Sequence, residues 1–277
     1  MGIPDSGAAL GEISSTGSAS GARRVEAGRW RGFGEAALIE AAGESLLGDP
    51  EAWLALPGAQ LLKRSRNVLA RVPWPGGAGA PMMLKIFPVR GLIGALQSGW
   101  RPSKARRGWA KARALIERGF ATPRPRLALE RRNALGLLAA SALWVDWVAG
   151  RPVRELLKPW RRRPRDPSQT EACHAFLGEL ARCLRRLHDA GVVHRDFGGG
   201  NVLMGPEGQF TLVDINRARI GAGPVSWRGR LRDLERVHLQ ADDRPVFFGA
   251  YCLDNRERER WEEAYLRRAA AYRGRGR

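Results

Sequence analysis

The stretch from His194 to Ile220, HRDFGGGNVLMGPEGQFTLVDINRARI, constrains the fold of this chain more than any other. It carries Asp196 and Asp214, eighteen positions apart, with Asn201 five residues after the first. Val192 and Val193 predict a short apolar strand running into His194, and Phe197 to Gly200 a glycine-softened loop. Val202 to Met204 predicts a second strand, Gly205-Pro206-Glu207-Gly208 a turn, and Phe210 to Ile215 a third strand. A hairpin of that length returns the end of its second strand beside the start of its first. Asp196, Asn201 and Asp214 are therefore expected to converge on one site.

Two carboxylates and a carboxamide oxygen are hard donors. They suit magnesium, which prefers oxygen ligands and keeps waters and substrate phosphates in its shell. The arrangement resembles the catalytic core of the protein-kinase-like fold, in which H-R-D-x-x-x-x-N is followed by D-F-G. His194, Arg195, Asp196 and Asn201 match the first motif. Asp214-Ile215-Asn216 departs from the second at two of three positions but keeps the acid. The resemblance implies an α+β, bilobal, protein-kinase-like fold with a small β-rich N-lobe and a mainly helical C-lobe.

A length of 277 residues with 44% hydrophobic content allows one large or two modest domains. Cys173, Cys183 and Cys252 lack metal-ligand spacing, and their odd number argues against a disulfide framework. No apolar run reaches the roughly eighteen residues that cross a bilayer. The first residues carry acids at Asp5 and Glu12 and lack the pattern of a secretory leader, so a cytoplasmic location is expected. The net charge of +19 favours an anionic partner. Only five of the 47 basic residues are lysine, so an arginine-rich composition explains the charge equally well. No nucleic-acid reader motif or zinc pattern accompanies it.

Four segments are expected: a disordered tail over 1–28, an N-lobe over 29–149, a C-lobe over 150–255 and a basic C-terminal helix and tail over 256–277. In the N-lobe, Leu61 to Val72 predicts a strand pair or one bent strand, and Pro50 to Leu56 a short helix. Met82 to Phe87 predicts a strand that carries Lys85 among apolar neighbours. A lysine there either grips nucleotide phosphates or snorkels from a sheet edge. Ser103 caps a predicted helix reaching Arg118 that holds no acid before Glu117, so the usual helix glutamate for Lys85 is missing. A glycine-rich nucleotide loop is also missing, leaving Arg64 to Asn67 as candidates to cover phosphates. Ala140 to Val148 predicts a strand ending at a hinge-like apolar-to-glycine transition, where Val148 and Leu203 are candidates to sandwich an adenine.

In the C-lobe, Ser168-x-x-Glu171 reads as a capping box opening a helix that ends at Gly191. Cys183 and His188 on it are expected to be packing and surface residues. His194 is expected to brace the loop rather than act as a base. Arg228 to Gln240 predicts a helix whose Asp233 either anchors the loop or is solvated.

Further motifs narrow the resemblance. Leu84-Lys85, Ser103-Lys104-Ala105-Arg106-Arg107, the run RGFATPRP over 118–125, Val192 to Asp196, Asn201 to Leu203, Val213 to Ala218 and Arg232 to Leu234 together are similar to the lipopolysaccharide kinase family, the kinases of Kdo and heptose sugars. The similarity spans about 60–252. It implies ATP- and magnesium-dependent phosphorylation of a sugar hydroxyl on an anionic glycolipid, by an enzyme peripheral to the inner membrane. Asp196 would take the acceptor proton, Asn201 and Asp214 would hold the metal, and Lys85 would hold the phosphates. Protein kinases usually carry a lysine two residues after the catalytic aspartate. Here that position is Gly198, with Arg217 and Arg219 as candidates for its charge. A protein or small-molecule kinase of the same fold and a non-catalytic scaffold are the rival expectations.

Overall fold

The computed structural model describes residues 22–89, 102–161 and 166–274, with side chains to residue 268. Its N-terminal half is built on a seven-stranded antiparallel sheet in the order β1-β2-β6-β7-β5-β4-β3. The strands are β1 (Ala22–Ala27), β2 (Trp30–Glu35), β3 (Gln60–Arg64), β4 (Val68–Val72), β5 (Met82–Pro88), β6 (Pro125–Arg132) and β7 (Leu138–Asp146). The expected tail over 1–28 is thus too long, because Ala22–Ala27 pairs along the whole of β2. The strand pair expected over Leu61 to Val72 is present, turning at Ser65 to Asn67. Pro50 to Leu56 gives only a 3-10 turn over Ala52–Ala55. That turn buries Trp53, whose indole N–H donates to the Leu46 carbonyl at 2.8 Å.

Each face of the sheet buries a different apolar set. Helix α1 (Ala36–Gly48) covers one face with Leu38, Ala42 and Leu47, around the Trp53–Trp144 ring pair at 5.1 Å. Helix α2 (Lys104–Glu117) crosses the other face. Its N-cap is Ser103, as expected, with the hydroxyl accepting from the Arg106 amide at 3.1 Å. Ala105 and Trp109 of α2 pack on Phe87, Ala128, Leu143 and Val145, while Ala112 and Leu115, further along, join the C-terminal core. One helix therefore contributes to both hydrophobic cores.

The C-terminal half is mainly helical: β8 (Arg151–Pro152), α3 (Val153–Trp160), α4 (Pro167–Asp189), β9 (Val192–Val193), β10 (Val202–Met204), β11 (Phe210–Leu212), β12 (Arg219–Ile220), α5 (Trp227–Leu234), α6 (Arg244–Tyr251) and α7 (Asn255–Gly274). Helix α4 is the central column. Leu177, Leu180, Ala181, Leu184 and Leu187 recur at helical spacing and are buried. Its start is not the expected Ser168 box. The Asp166 carboxylate accepts from the Gln169 amide at 2.8 Å and Pro167 takes the first helical position, where its missing N–H costs nothing. His188 is not a surface residue: it is fully buried, with Nδ1 2.7 Å from the Tyr251 hydroxyl. Two expected elements stop early. The third hairpin strand ends at Leu212 because Asp214 turns left-handed at φ 54°, and α5 ends at Leu234, before His238 at φ 54°.

Candidate active site

The loop after β9 is shaped by main-chain hydrogen bonds to side chains. Asp233 of α5 is fully buried, and its two oxygens accept from the His194 and Arg195 amides, each at 2.6 Å. His188 Nε2 lies 3.4 Å from the same carboxylate. Of the two readings the sequence left open for Asp233, the loop anchor is the one the fold adopts. Held this way, Arg195 takes a left-handed backbone at φ 65°. For a residue with a Cβ that conformation costs about 1–2 kcal/mol. The reversal turns Asp196 back over the loop that follows.

Asn201 and Asp214 are tied to Asp196 through the backbone. Asn201 Nδ2 donates to the Asp196 carbonyl at 3.0 Å, and the Val213 amide donates to the Asn201 carbonyl at 2.9 Å. His194 Nε2 donates to the Val213 carbonyl at 3.2 Å, fastening the loop to the segment that leads into Asp214. Burial holds the His194 imidazole below its ordinary pKa, opposed by the nearby Asp233 charge. With Nε2 engaged as a donor, the ring braces the loop. Gly199 is needed sterically: a Cβ there would meet the Arg154 main chain at 2.7 Å, where the Arg154 amide donates to the Gly199 carbonyl at 2.7 Å.

Between this loop and the sheet lies a cleft of ≈ 960 Å³. Lys85, Val148, Asn201, Leu203 and Asp214 all line it, together with the β3–β4 turn over Ser65, Arg66 and Asn67. Asp196 is joined to this set through Asn201. The turn stands where a glycine-rich loop is missing, and the buried Asn67 Oδ1 has no hydrogen-bond partner among the described residues. Val148 sits on the connection from β7 to β8, and β8 pairs with β10 at Pro152 and Leu203. That pairing brings both candidate adenine contacts to the same end of the cleft.

Lys85 has no ion-pairing carboxylate among the described residues. Burial lowers its pKa, and the charge of Asp214 partly offsets this. The helix glutamate has not moved elsewhere on α2. Gly108 occupies the face turned to the site, and a Cβ there would come within 2.7 Å of Leu143 and 3.3 Å of Asn216 Oδ1. What α2 offers instead is Lys111, whose Nζ donates to the Asn216 carbonyl at 2.6 Å. The helix is thereby latched to the main chain of the Asp214-Ile215-Asn216 segment. Lys111→Met is expected to lower kcat about tenfold or more, from the roughly 1.5–3 kcal/mol of a charged hydrogen bond, with little change in nucleotide KM. Lys111→Arg is expected to restore most of it. Steady-state kinetics on the three proteins checks both.

The comparisons with known proteins agree with this geometry. Residues 99–265 match the model of the Lipopolysaccharide kinase (Kdo/WaaP) family. A solved structure of WaaP in complex with acyl carrier protein superposes with a TM-score of 0.51 at 23% identity, over 79% of this chain and 83% of that one. The serine/threonine-protein kinase PknA of Mycobacterium tuberculosis and that of Mycobacterium bovis are each 34% identical over 90 residues, 31% of this chain. The chain spans only 19% of the length of those relatives. The fold is of the protein-kinase-like class. With more than half of its length in the family match, the chain belongs to the lipopolysaccharide kinase (Kdo/WaaP) family.

Proposed function

We propose that the chain transfers the γ-phosphoryl group of ATP, with magnesium, to a sugar hydroxyl of a lipopolysaccharide core or related envelope glycolipid. The observation that carries this reading is the bond from Asn201 to the Asp196 carbonyl and from the Val213 amide, just before Asp214, to the Asn201 carbonyl, with Asn201 and Asp214 lining a cleft that also holds Lys85. Asp196 orients the acceptor hydroxyl and accepts its proton. Lys85 grips the phosphates, and Val148 and Leu203 flank the adenine. The donor set fits magnesium. The Asn201 amide nitrogen is spent on the Asp196 carbonyl, which leaves Oδ1 as a hard donor, and Asp214 lines the same cleft. Magnesium takes few protein ligands and completes its shell with water and phosphate. When bound, the ion neutralises phosphate charge. Positioning and charge stabilisation supply most of the rate in such transfers.

Asp214 is followed within thirteen residues by α5 at Trp227, too short a segment for a peptide-docking platform. That favours a sugar over a protein acceptor. The 22–149 and 150–255 segments act as the two lobes, and helix α7 packs into the core of the second through Trp261 and Tyr265. No described helix is long and apolar enough to cross a membrane, so contact with a glycolipid surface would be peripheral. The basic stretches Arg101 to Arg113 and Arg161 to Arg165 are the candidates to meet such a surface; of these, Arg101 and 162–165 lie outside the described residues.

The test is transfer of labelled phosphate from ATP with magnesium, with and without extracted envelope glycolipid, by the wild type and by Lys85→Met. Stimulation by glycolipid is expected. Lys85→Met is expected to lose about 10- to 100-fold in kcat/KM, the range set by a charge-assisted contact of roughly 1.5–3 kcal/mol. No nucleotide binding by the wild type would leave a scaffold as the better reading.

A further inference from the structure

Strand β6 carries one residue too many for its pairing with β7. Pro125 pairs with Val145 and Leu127 with Trp144, so two steps on β6 answer one on β7 and Arg126 is the extra residue of a β-bulge. A bulge re-aims the side chain it frees, and such features gather beside active sites. Here the guanidinium is aimed at the end of β7. Arg126 Nε donates to Asp146 Oδ1 at 2.5 Å and Nη2 to Asp146 Oδ2 at 3.2 Å, while Nη1 donates to Glu35 Oε2 at 2.5 Å. The fork to Asp146 is a bidentate arrangement that a lysine cannot reproduce. Gly34 lets the third arm form. Strand β2 lies so close to β6 that a Cβ at Gly34 would come within 2.8 Å of the Arg126 carbonyl, and this brings Glu35, the next residue, within reach.

Asp146 is where the sheet hands the chain to the nucleotide cleft. Strand alternation puts its side chain on the face of Trp144, away from Val145, while the residue itself lines the cleft between Val145 and Val148. Main-chain bonds hold the same point. The Asp146 amide donates to the Arg124 carbonyl at 2.9 Å and the Trp147 amide to the Pro81 carbonyl at 3.1 Å. Arg126 itself does not line the cleft. An ion-pair triad joining β2, β6 and β7 therefore ends on the backbone that runs into Val148. Without the guanidinium, two carboxylates would face one another across the space it leaves and repel.

We infer that Arg126 is a positioning residue for the nucleotide base: by fixing Asp146 from behind, it sets the 146–148 main chain against which the base lies. The inference rests on the nucleotide reading above and deepens it. It confines the effect of Arg126 to the base end of the cleft, because its side-chain partners are Asp146 and Glu35, and neither Lys85 nor the β3–β4 turn is among them.

The experiment is displacement of a fluorescent ATP analogue from the full chain by magnesium-ATP, by adenosine, and by magnesium tripolyphosphate, which carries phosphates without a base. In Arg126→Met the affinities for ATP and adenosine are expected to fall about fivefold or more, the worth of a charged hydrogen bond discounted for a side chain that is 21% exposed. Affinity for tripolyphosphate is expected to stay within about twofold of wild type, since the phosphate contacts are untouched. Arg126→Lys is expected to recover part of the loss. Arg23→Met, which breaks the exposed Arg23–Glu40 pair on the β1–β2 ribbon, is expected to behave as wild type. In turnover, KM for ATP should rise in Arg126→Met while kcat and KM for glycolipid stay as in wild type.

Equal weakening of adenosine and tripolyphosphate would reveal a general loosening of the sheet and overturn the inference. Asp146→Asn keeps the shape of the side chain while weakening the fork, and serves if Arg126→Met does not fold. It is expected to weaken adenosine in the same selective way, and unchanged adenosine affinity there would also overturn the inference. Binding of the analogue to the wild type is the separate check on the nucleotide reading. No binding would overturn both, whereas binding with unchanged adenosine affinity in Arg126→Met would overturn this inference alone.

Discussion

Asp196→Asn is expected to fold, to bind ATP with magnesium as the wild type does, and to lose about 10²- to 10⁴-fold in kcat, the usual worth of a positioned general base. The substitution is nearly isosteric, and the contacts that shape the loop do not use the Asp196 carboxylate. Asn201 is bound to its carbonyl and Gly198 donates to the same oxygen at 2.6 Å. On the role proposed for Asp196, what disappears is the acceptor for the hydroxyl proton. The loss should therefore fall on kcat and kcat/KM together, leaving nucleotide affinity intact. Single-turnover kinetics with a fluorescent nucleotide separates the two. A variant that loses nucleotide affinity in step with turnover would place Asp196 in ground-state binding and not in proton transfer.

Asp233→Ala is expected to have the largest effect on stability. Its carboxylate is fully buried and accepts the His194 and Arg195 amides at 2.6 Å, with His188 alongside. Removing it strands two buried N–H groups, at about 1–3 kcal/mol each, and leaves a cavity. A loss of about 3–5 kcal/mol follows, comparable to breaking a buried charged network. Nothing would then hold Arg195 in its left-handed conformation, so activity should fall even where the protein remains folded. Asp233→Asn retains one acceptor oxygen and is expected to lie between the two. Chemical denaturation measures the stability. Turnover at a temperature where both variants are folded isolates the loop effect. Wild-type stability in Asp233→Ala would show that the loop is held by other contacts.

The catalytic half of the molecule was readable because its information is local. The valines before His194, the glycine turn at 205–208 and the apolar run from Phe210 fix a hairpin from short-range pattern alone. The polar residues at 196, 201 and 214 are then carried to one end by geometry. The first two strands were hidden for a physical reason. Trp30–Glu35 interrupts its alternation with Gly32 and Gly34, and those glycines are what let β6 approach: a Cβ at Gly32 would lie 1.9 Å from the Ala128 carbonyl. The start of α4 was misplaced because two capping signals stand two residues apart, and Pro167 decides for Asp166.

Lys111 was invisible on other grounds. Its partner is a main-chain carbonyl 105 residues away, and a carbonyl has no signature in a sequence. A helix glutamate would match the charge of Lys85, whereas this helix is joined to the Asp214-Ile215-Asn216 segment by a donor.

Helix α2 has a consequence for control. Ala105 and Trp109 are set into the sheet while Ala112 and Leu115 are set into the other lobe. Swinging such a helix outward would uncover apolar surface at both ends, at about 25 cal/mol for each Å² exposed, and would break the Lys111 link as well. A switch that works by rotating this helix away and back is therefore expensive in this architecture. The enzyme is built to stay assembled, so its output should follow the delivery of acceptor rather than a toggling of its own shape.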